Sequence, residues 1–450
     1  MAHEFYKYTW EITFNIPNRK ISFLPYSLIS FTKNCDYFNN SIPSYSLSVK
    51  MQEQVFDVLK KYDKELLVNI KQKMIYGNDE NNYNKEKIIF EDVFIPFYDK
   101  NTIPSYTKAD KQVDSSVDNM SVKYKFDDMP GMYKPYEMNF VLLSKRDLTV
   151  RKFIHNYVLG SDKSPVDPAS AVAFVISQND YVDKFLMDSP DNDTTYPDLI
   201  IKPADIVNAI RQIQINYGIY MKDLTVFYDS GFMYILNKYA TDHAYQDDEN
   251  ITVMLRLDER IDKISPEQSV IINDKKQTIL YERGTKIVKQ DQESIMGELV
   301  GDKFVYSNFS SVINAGFGNK GKTIYTSPLH DIERDIPSHK DTGTKIIMDY
   351  DMLNNPFNMS SYMAKTSLGV PIAFTLSRVN CEHFAPNKKF VLNFDTPESN
   401  KMYSGTYNIG AASFSYVNTG DPKRRFETFC HTTISLVNKT DGLDKDYEIK

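Results

Sequence analysis

Tyr45-Ser46-Leu47-Ser48-Val49 alternates apolar residues with serine, the period of a strand that buries one face. The rhythm then changes at once. Met51, Val55, Val58, Leu59 and Tyr62 recur at helical spacing, with Gln52, Glu53, Asp57, Lys60 and Lys61 opposite, which predicts a short amphipathic helix over 51–62 lying on a sheet. Leu66, Val68 and Ile70 alternate again, Gly77-Asn78-Asp79-Glu80-Asn81-Asn82-Tyr83-Asn84 reads as a polar loop, and Ile88 through Pro96 returns as a strand. From Phe31 to Pro96 the order is strand, helix, strand, loop, strand.

C-terminal to this unit, Pro104, Pro130, Gly131 and Pro135 among polar residues predict loops or an extended arm over 97–135. Phe140-Val141-Leu142-Leu143 resumes strand character. Leu148 to Leu159 has an apolar spacing compatible with a helix ending near Gly160, and Gly160-Ser161-Asp162-Lys163-Ser164-Pro165 reads as a linker. Pro203 suits a first helical turn, Asp205 complements the dipole, and Ile206, Ile210, Ile213 and Tyr217 form one face before Gly218 stops the helix. Leu224-Thr225-Val226-Phe227-Tyr228 and Phe232-Met233-Tyr234-Ile235-Leu236 predict a hairpin about Asp229-Ser230-Gly231. Beyond 250 the chain reads mostly as strands: Ile251 to Leu257, Gln277 to Glu282, Ile372 to Val379, Lys389 to Phe394, Ser413 to Val417 and Phe426 to Val437. The fold class is α+β, mainly β, with strands to be closed into barrels or sandwiches, and no fixed repeat suggests a solenoid.

Composition narrows the function. In 450 residues, 41% apolar and 13% aromatic side chains supply a large core and exclude a disordered chain. Lys plus Arg number 53 against 60 Asp plus Glu, a net charge of −7, which disfavours a sequence-reading DNA binder and tolerates nucleic acid that passes without being held. Cys35, Cys381 and Cys430 are too few and scattered for a disulfide framework, so folding in reducing cytoplasm is expected. The start lacks a secretory pattern and no run approaches ~18 apolar residues, so neither a leader nor a membrane anchor is expected.

Four patterns invite chemical readings, and each has a plainer alternative. Gly316-Phe317-Gly318-Asn319-Lys320-Gly321-Lys322-Thr323 fits the phosphate-cradling loop, yet Ile324-Tyr325-Thr326-Ser327-Pro328 favours an extended chain where that loop needs a helix. Ile346-Ile347-Met348-Asp349 imitates a magnesium-holding strand end but follows too soon. Cys381-Glu382-His383 and Cys430-His431 offer zinc ligands or a thiol nucleophile, but neighbours on a strand point to opposite faces. Asp188, Asp191 and Asp193 could meet calcium, though the Gly and Glu of the helix-loop-helix site are missing, and a solvated acidic loop is preferred. No carboxylate spacing singles out a glycosidase pair. No catalytic, cofactor-binding or metal residue is therefore assigned, no cofactor is expected, and the chain is read as not an enzyme.

Residues 171–240 resemble the baseplate hub protein at the base of the tail tube in contractile-tailed phages, a family with relatives in siphophage tail tips and injection systems. The resemblance rests on Tyr196-Pro197-Asp198-Leu199-Ile200-Ile201-Lys202-Pro203, the helix running to Tyr217-Gly218-Ile219-Tyr220, Leu224-Thr225-Val226-Phe227-Tyr228-Asp229 and Met233-Tyr234-Ile235-Leu236. It implies two tail-tube-like β-barrel domains with inserted α/β domains: a first barrel in 1–160 with the helix and arm, an inserted α+β domain in 161–264, and a second β-rich domain in 265–450. It further implies a structural virion protein in the tail baseplate, assembled in host cytoplasm. There it would form a homotrimer between tail tube protein and a central spike or cell-puncturing protein, beside other baseplate proteins and the tape measure protein. DNA would pass without specific binding, with no membrane anchor. The competing readings are a receptor- or carbohydrate-binding tail protein and, from another class, a cell-wall hydrolase or a nucleotide hydrolase at Lys322.

Overall fold

A computed structural model describes residues 5–98 apart from 18, 24–26 and 78–84, then 105–106, and 135–238 apart from 181 and 221–222. From 250 to 437 it describes Asn355 and the strand and turn segments named below. The first strand, β1 (Phe5–Ile16), places Tyr6, Tyr8, Trp10, Ile12, Phe14 and Ile16 on one buried face, as strict alternation demands. There follow β2 (Arg19–Phe23), β3 (Leu28–Asp36), β4 (Ser44–Gln52), α1 (Glu53–Lys61), β5 (Leu67–Gly77), β6 (Lys85–Phe97), β7 (Ser105–Tyr106) and β8 (Pro135–Ser144). The helix expected at 51–62 is α1, shortened because β4 continues through the buried Met51 to Gln52.

The next elements form an insertion: α2 (Lys145–Thr149), β9 (Phe153–Ile154), β10 (Tyr157–Leu159), α3 (Pro168–Ser177), β11 (Lys184–Met187), β12 (Leu199–Ile201), β13 (Ala204–Asp205), α4 (Ile206–Tyr217), β14 (Leu224–Asp229) and β15 (Phe232–Asn237). Asp167 and Asp205 cap α3 and α4 by accepting from the amides of Ser170 and Asn208, and Gly218 ends α4 at φ 73°. Pro203 lies before the helix it was expected to begin. The helix expected over 148–159 is corrected: only α2 is helical, and Tyr157–Leu159 pairs with Leu199–Ile201, so β-branched and aromatic side chains follow their tertiary partners. The hairpin is present, its two-residue turn made by Ser230 at φ 53° and Gly231 at φ 93°. Ala171, Val172, Val175, Val207, Ile210 and Ile213 join the two helices over Val226 and Ile235 in a core of their own.

The later strands are β16 (Asn250–Arg256), β17 (Val270–Asp274), β18 (Gln277–Arg283), β19 (Lys286–Ile287), β20 (Lys303–Asn308), β21 (Lys322–Tyr325), β22 (Thr344–Asp349), β23 (Ile372–Ser377), β24 (Phe390–Phe394), β25 (Gly405–Asn418) and β26 (Thr428–Val437), with a 3-10 turn at Cys381–Phe384. One 16-stranded sheet runs β17-β18-β16-β24-β25-β3-β4-β8-β6-β5-β1-β26-β23-β19. Because β26 also pairs with β25, the pairings β25-β3-β4-β8-β6-β5-β1-β26 return on themselves, the seam at β1 being the single pair Tyr8↔Thr428. The strand-rich stretches before 160 and after 265, expected as separate barrels, are thus joined in one sheet. The cause is packing: Tyr416 of β25 sets its ring 5.0 Å from Tyr8 and 5.1 Å from Trp10, and Trp10 lies 4.8 Å from Phe31. Each such fully buried ring contributes roughly 2 kcal/mol of hydrophobic stabilisation, so the C-terminal strand completes the N-terminal core. The arm expected over 97–135 lies mostly outside the described residues.

Candidate functional site

Two surfaces of the circuit differ in chemistry. Outward-facing residues on β1, β5 and β6 form ion pairs: Lys73 reaches Glu11 at 3.0 Å and Glu86 at 3.1 Å, and Lys71 reaches Glu91 at 3.1 Å. Across β25, β3, β4 and β8 the outward phase carries Ala411, Ser413, Ser415, Val417, Ser30, Thr32, Asn34, Ser44, Ser46, Ser48, Asn139, Val141 and Leu143, with no formal charge between Asp36 at one end and Lys50 with Glu137 at the other. Register makes this one patch, since Ser415 lies opposite Thr32, Thr32 opposite Ser46, and Ser46 opposite Val141. Period-2 alternation against a buried aromatic phase creates it.

The inward phase is interrupted at one end by polar residues. Lys33 stands between Phe31 and Cys35, and Gln72 between Ile70 and Met74, each on the side its apolar neighbours bury. Lys33 Nζ donates to Asp229 Oδ2 at 2.6 Å, tying β3 to the hairpin of the insertion. The same junction carries Tyr228 N donating to Ser41 O at 2.8 Å and the ring of Tyr37 packed 4.7 Å from that of Phe227. Burial, the largest single influence, lowers the Lys33 pKa, but the charge and hydrogen bond of Asp229 together with the nearby Cys35 and Cys381 outweigh it and hold the ammonium above its usual range. Burial pushes the Cys35 thiol up to about 12 and raises Cys381 as well, so neither is an activated nucleophile.

Beside the pair opens a cavity of ≈ 330 Å³ lined by Phe31, Phe90, Phe384, Phe414, Tyr416, Gln72 and Tyr234, with Glu382 at its polar side. Glu382 is already engaged by Lys87 at 2.7 and 2.9 Å. Nearby, Asp147 of α2 is buried and neither carboxylate oxygen has a hydrogen-bond partner among the described residues. Burial, with Asp229 and Asp92 adding like charge, raises its pKa to about 8.

The sequence candidates separate. Lys322 and Thr323 lie in β21, hydrogen-bonded to β20, and Asp349 ends β22, so no helix starts where a phosphate loop needs one; residues 316–321 lie outside the described residues. Cys381 and His383 sit in the 3-10 turn and Cys430 with His431 in β26. Among the described residues no group of three or more His, Cys, Asp or Glu is placed to hold a metal ion. Asp188 accepts from Asn237 N at 2.8 Å and Asp191 from Asn237 Nδ2 at 3.5 Å, so both anchor the end of β15. Lys33, Gln72 and Asp229 escaped the motif search, and the one signal for the first two was a polar residue on the buried phase of an alternating strand.

A family model described as Bacteriophage PBS1 gene 109 protein matches residues 24–425. No curated protein matches the chain. Among solved structures, a tail protein from Neisseria meningitidis MC58 is 8% identical with a TM-score of 0.49, over 96% of this chain and 97% of that one. The 43 kDa tail protein of prophage MuSo2 from Shewanella oneidensis is 8% identical with a TM-score of 0.44, over 95% and 96%. A chain of the phage P2 baseplate in its activated conformation is 9% identical with a TM-score of 0.33, over 96% and 99%.

Proposed function

We propose, for a chain that belongs to the Bacteriophage PBS1 gene 109 protein family, a non-catalytic role in the virion as the hub of the tail baseplate or tail tip. Three copies form a ring that joins the tail tube protein to a central spike, beside other baseplate proteins, and DNA passes through it. The observation that carries this reading is the self-returning strand circuit with a filled interior. Trp10, Phe14, Phe31, Phe94 and Phe140 occupy its inside, so this circuit has no bore of its own, and on this reading the passage lies between copies.

On this reading the circuit is one tube-like barrel, residues 145–238 are an inserted unit, and β16, β17, β18 and β24 begin a second tube-like region that shares β25 with the first. The uncharged face of β25, β3, β4 and β8 suits the passage. Its hydroxyls hydrogen-bond water and present no fixed charge, whereas lysines there would hold a phosphate backbone and carboxylates would repel it. The ion-paired face of β1, β5 and β6 then points away.

The test is the position and copy number of the chain in an intact particle. Three copies between tube and spike, with cysteines introduced at Ser46 and Ser415 crosslinking toward the ring axis, are expected. A single copy, or a location remote from the tube, refutes the hub; ring formation with Ser46 and Ser415 on the outer circumference refutes only the assignment of the face.

A further inference from the structure

The ≈ 330 Å³ cavity where the strand circuit meets the insertion has in its wall a buried side-chain donor with no partner among the described residues. Gln72 is 3% exposed, and its Nε2 has no partner among the described residues. Lys33 Nζ spends a bond on Asp229 and keeps further N–H groups, and Tyr234 brings a hydroxyl to the same wall. Asp229 receives Lys33 and the Ser230 hydroxyl, and both oxygens of Glu382 receive Lys87. Lys33 is paired with Asp229, and Lys87 with Glu382. The remaining walls are aromatic faces and edges.

We propose that this cavity is a binding site for a small uncharged aromatic compound bearing a carbonyl acceptor, its ring against Phe31, Phe90 and Phe384 and its oxygen toward Gln72, Lys33 and Tyr234. Nothing in the proposal depends on the hub assembly. A ligand carbonyl that accepts from the buried Gln72 amide gives the site selectivity beyond apolar contact.

The probe is benzamide, with benzoate and benzylamine as charged counterparts, titrated into the full chain by calorimetry and by ligand-observed NMR. Saturable benzamide binding at one site per chain is expected, with both charged analogues weaker. Gln72→Leu should weaken benzamide about tenfold, and Tyr234→Phe, which removes one hydroxyl and leaves the ring, several-fold. Absence of saturable benzamide binding overturns the proposal, as does binding unchanged in both variants or tighter binding of benzoate than of benzamide. If Gln72→Leu fails to fold, Tyr234→Phe and the analogue order decide alone.

Discussion

Replacing Asp147 by Asn should remove most of the pH dependence of this protein's stability between pH 5 and 8. Asp147 follows β8 directly, its amide donating to Ser144 Oγ at 3.1 Å while its carboxyl is enclosed without a hydrogen-bond partner among the described residues. Burial, then Asp229 of β14 and Asp92 of β6, disfavour the ionised form; Lys33 of β3 and the adjoining Arg146 favour it less strongly, and the pKa stands at about 8 against 3.8 for a free carboxyl. A carboxyl with a raised folded-state pKa keeps its proton in the folded protein after the unfolded chain has released it. Stability is therefore fully present below the unfolded pKa and falls as pH rises, by about 1.4 kcal/mol per unit, until the folded pKa is passed. From pH 5 to pH 8 the loss comes to about 3 to 4 kcal/mol, with Asp92, also raised by burial, adding to it in the same direction. Asparagine has no proton to lose, so Asp147→Asn should match the native chain only below the free carboxyl value of 3.8, exceed it already at pH 5, and exceed it increasingly toward pH 8. Urea midpoints across that range, at unchanged m, measure the difference. An Asn variant whose stability falls with pH as steeply as the native chain refutes the reasoning.

Lys33→Met removes the partner of a largely enclosed carboxylate and should cost about 3 kcal/mol by urea unfolding, with Lys33→Met/Asp229→Asn recovering part of it. Gly160 sits at φ 95° with an added Cβ falling 2.7 Å from Tyr196 O and 2.8 Å from Pro197 O, backbone atoms that cannot step aside, so Gly160→Ala should destabilise by about 1 to 3 kcal/mol. Asn355 Nδ2 donates to the carbonyls of Gln214 and Ile215 at 2.8 and 2.9 Å, and Asn355→Ala should cost about 1 kcal/mol in thermal unfolding by removing this donor from two last-turn carbonyls of α4, of which Gln214 O keeps Gly218 N.

Much of the fold was legible because it is written locally. Alternation through Tyr45–Val49, the helical stripe of Ile206 to Tyr217 and the turn at Ser230-Gly231 each follow from period or from backbone freedom, and the structure keeps all three. The same rule applied to Tyr6, Tyr8, Trp10, Ile12 and Phe14 would have found β1, which a reading begun at Phe31 passes over. Helix α3 was missed for a physical reason: Ala171, Val172, Val175 and Ile176 share one buried face, but the other side carries Ala169, Ala173 and Phe174 with only serines between them, so no charged stripe marks it, although Asp167-Pro168 carries a cap and a first-turn proline. The 148–159 error has the opposite origin, a helix-compatible spacing overruled by pairing with residues forty positions further on. That β25 and β26 return to the first strands is beyond local reading altogether, because only the shape of the aromatic core decides it.

The polar residues that break the buried alternation are not scattered. Lys33, Gln72, Asp92 and Asp147 all lie on the circuit or directly beside β8, and Lys33, Asp92 and Asp147 meet the charge of Asp229 at the tip of the insertion's hairpin. Apolar side chains there would bury more cheaply, since a buried ion pair seldom outweighs the water it loses. Apolar surfaces, however, accept many orientations, whereas a 2.6 Å contact between Lys33 and Asp229 accepts one. With Tyr228 N on Ser41 O and Tyr37 on Phe227 beside it, that contact fixes how the unit 145–238 stands on the sheet. In a ring built from copies of this chain, a tilt at this junction would be repeated in every copy, so orientational precision is worth a loss of stability that a solitary domain would have no reason to accept.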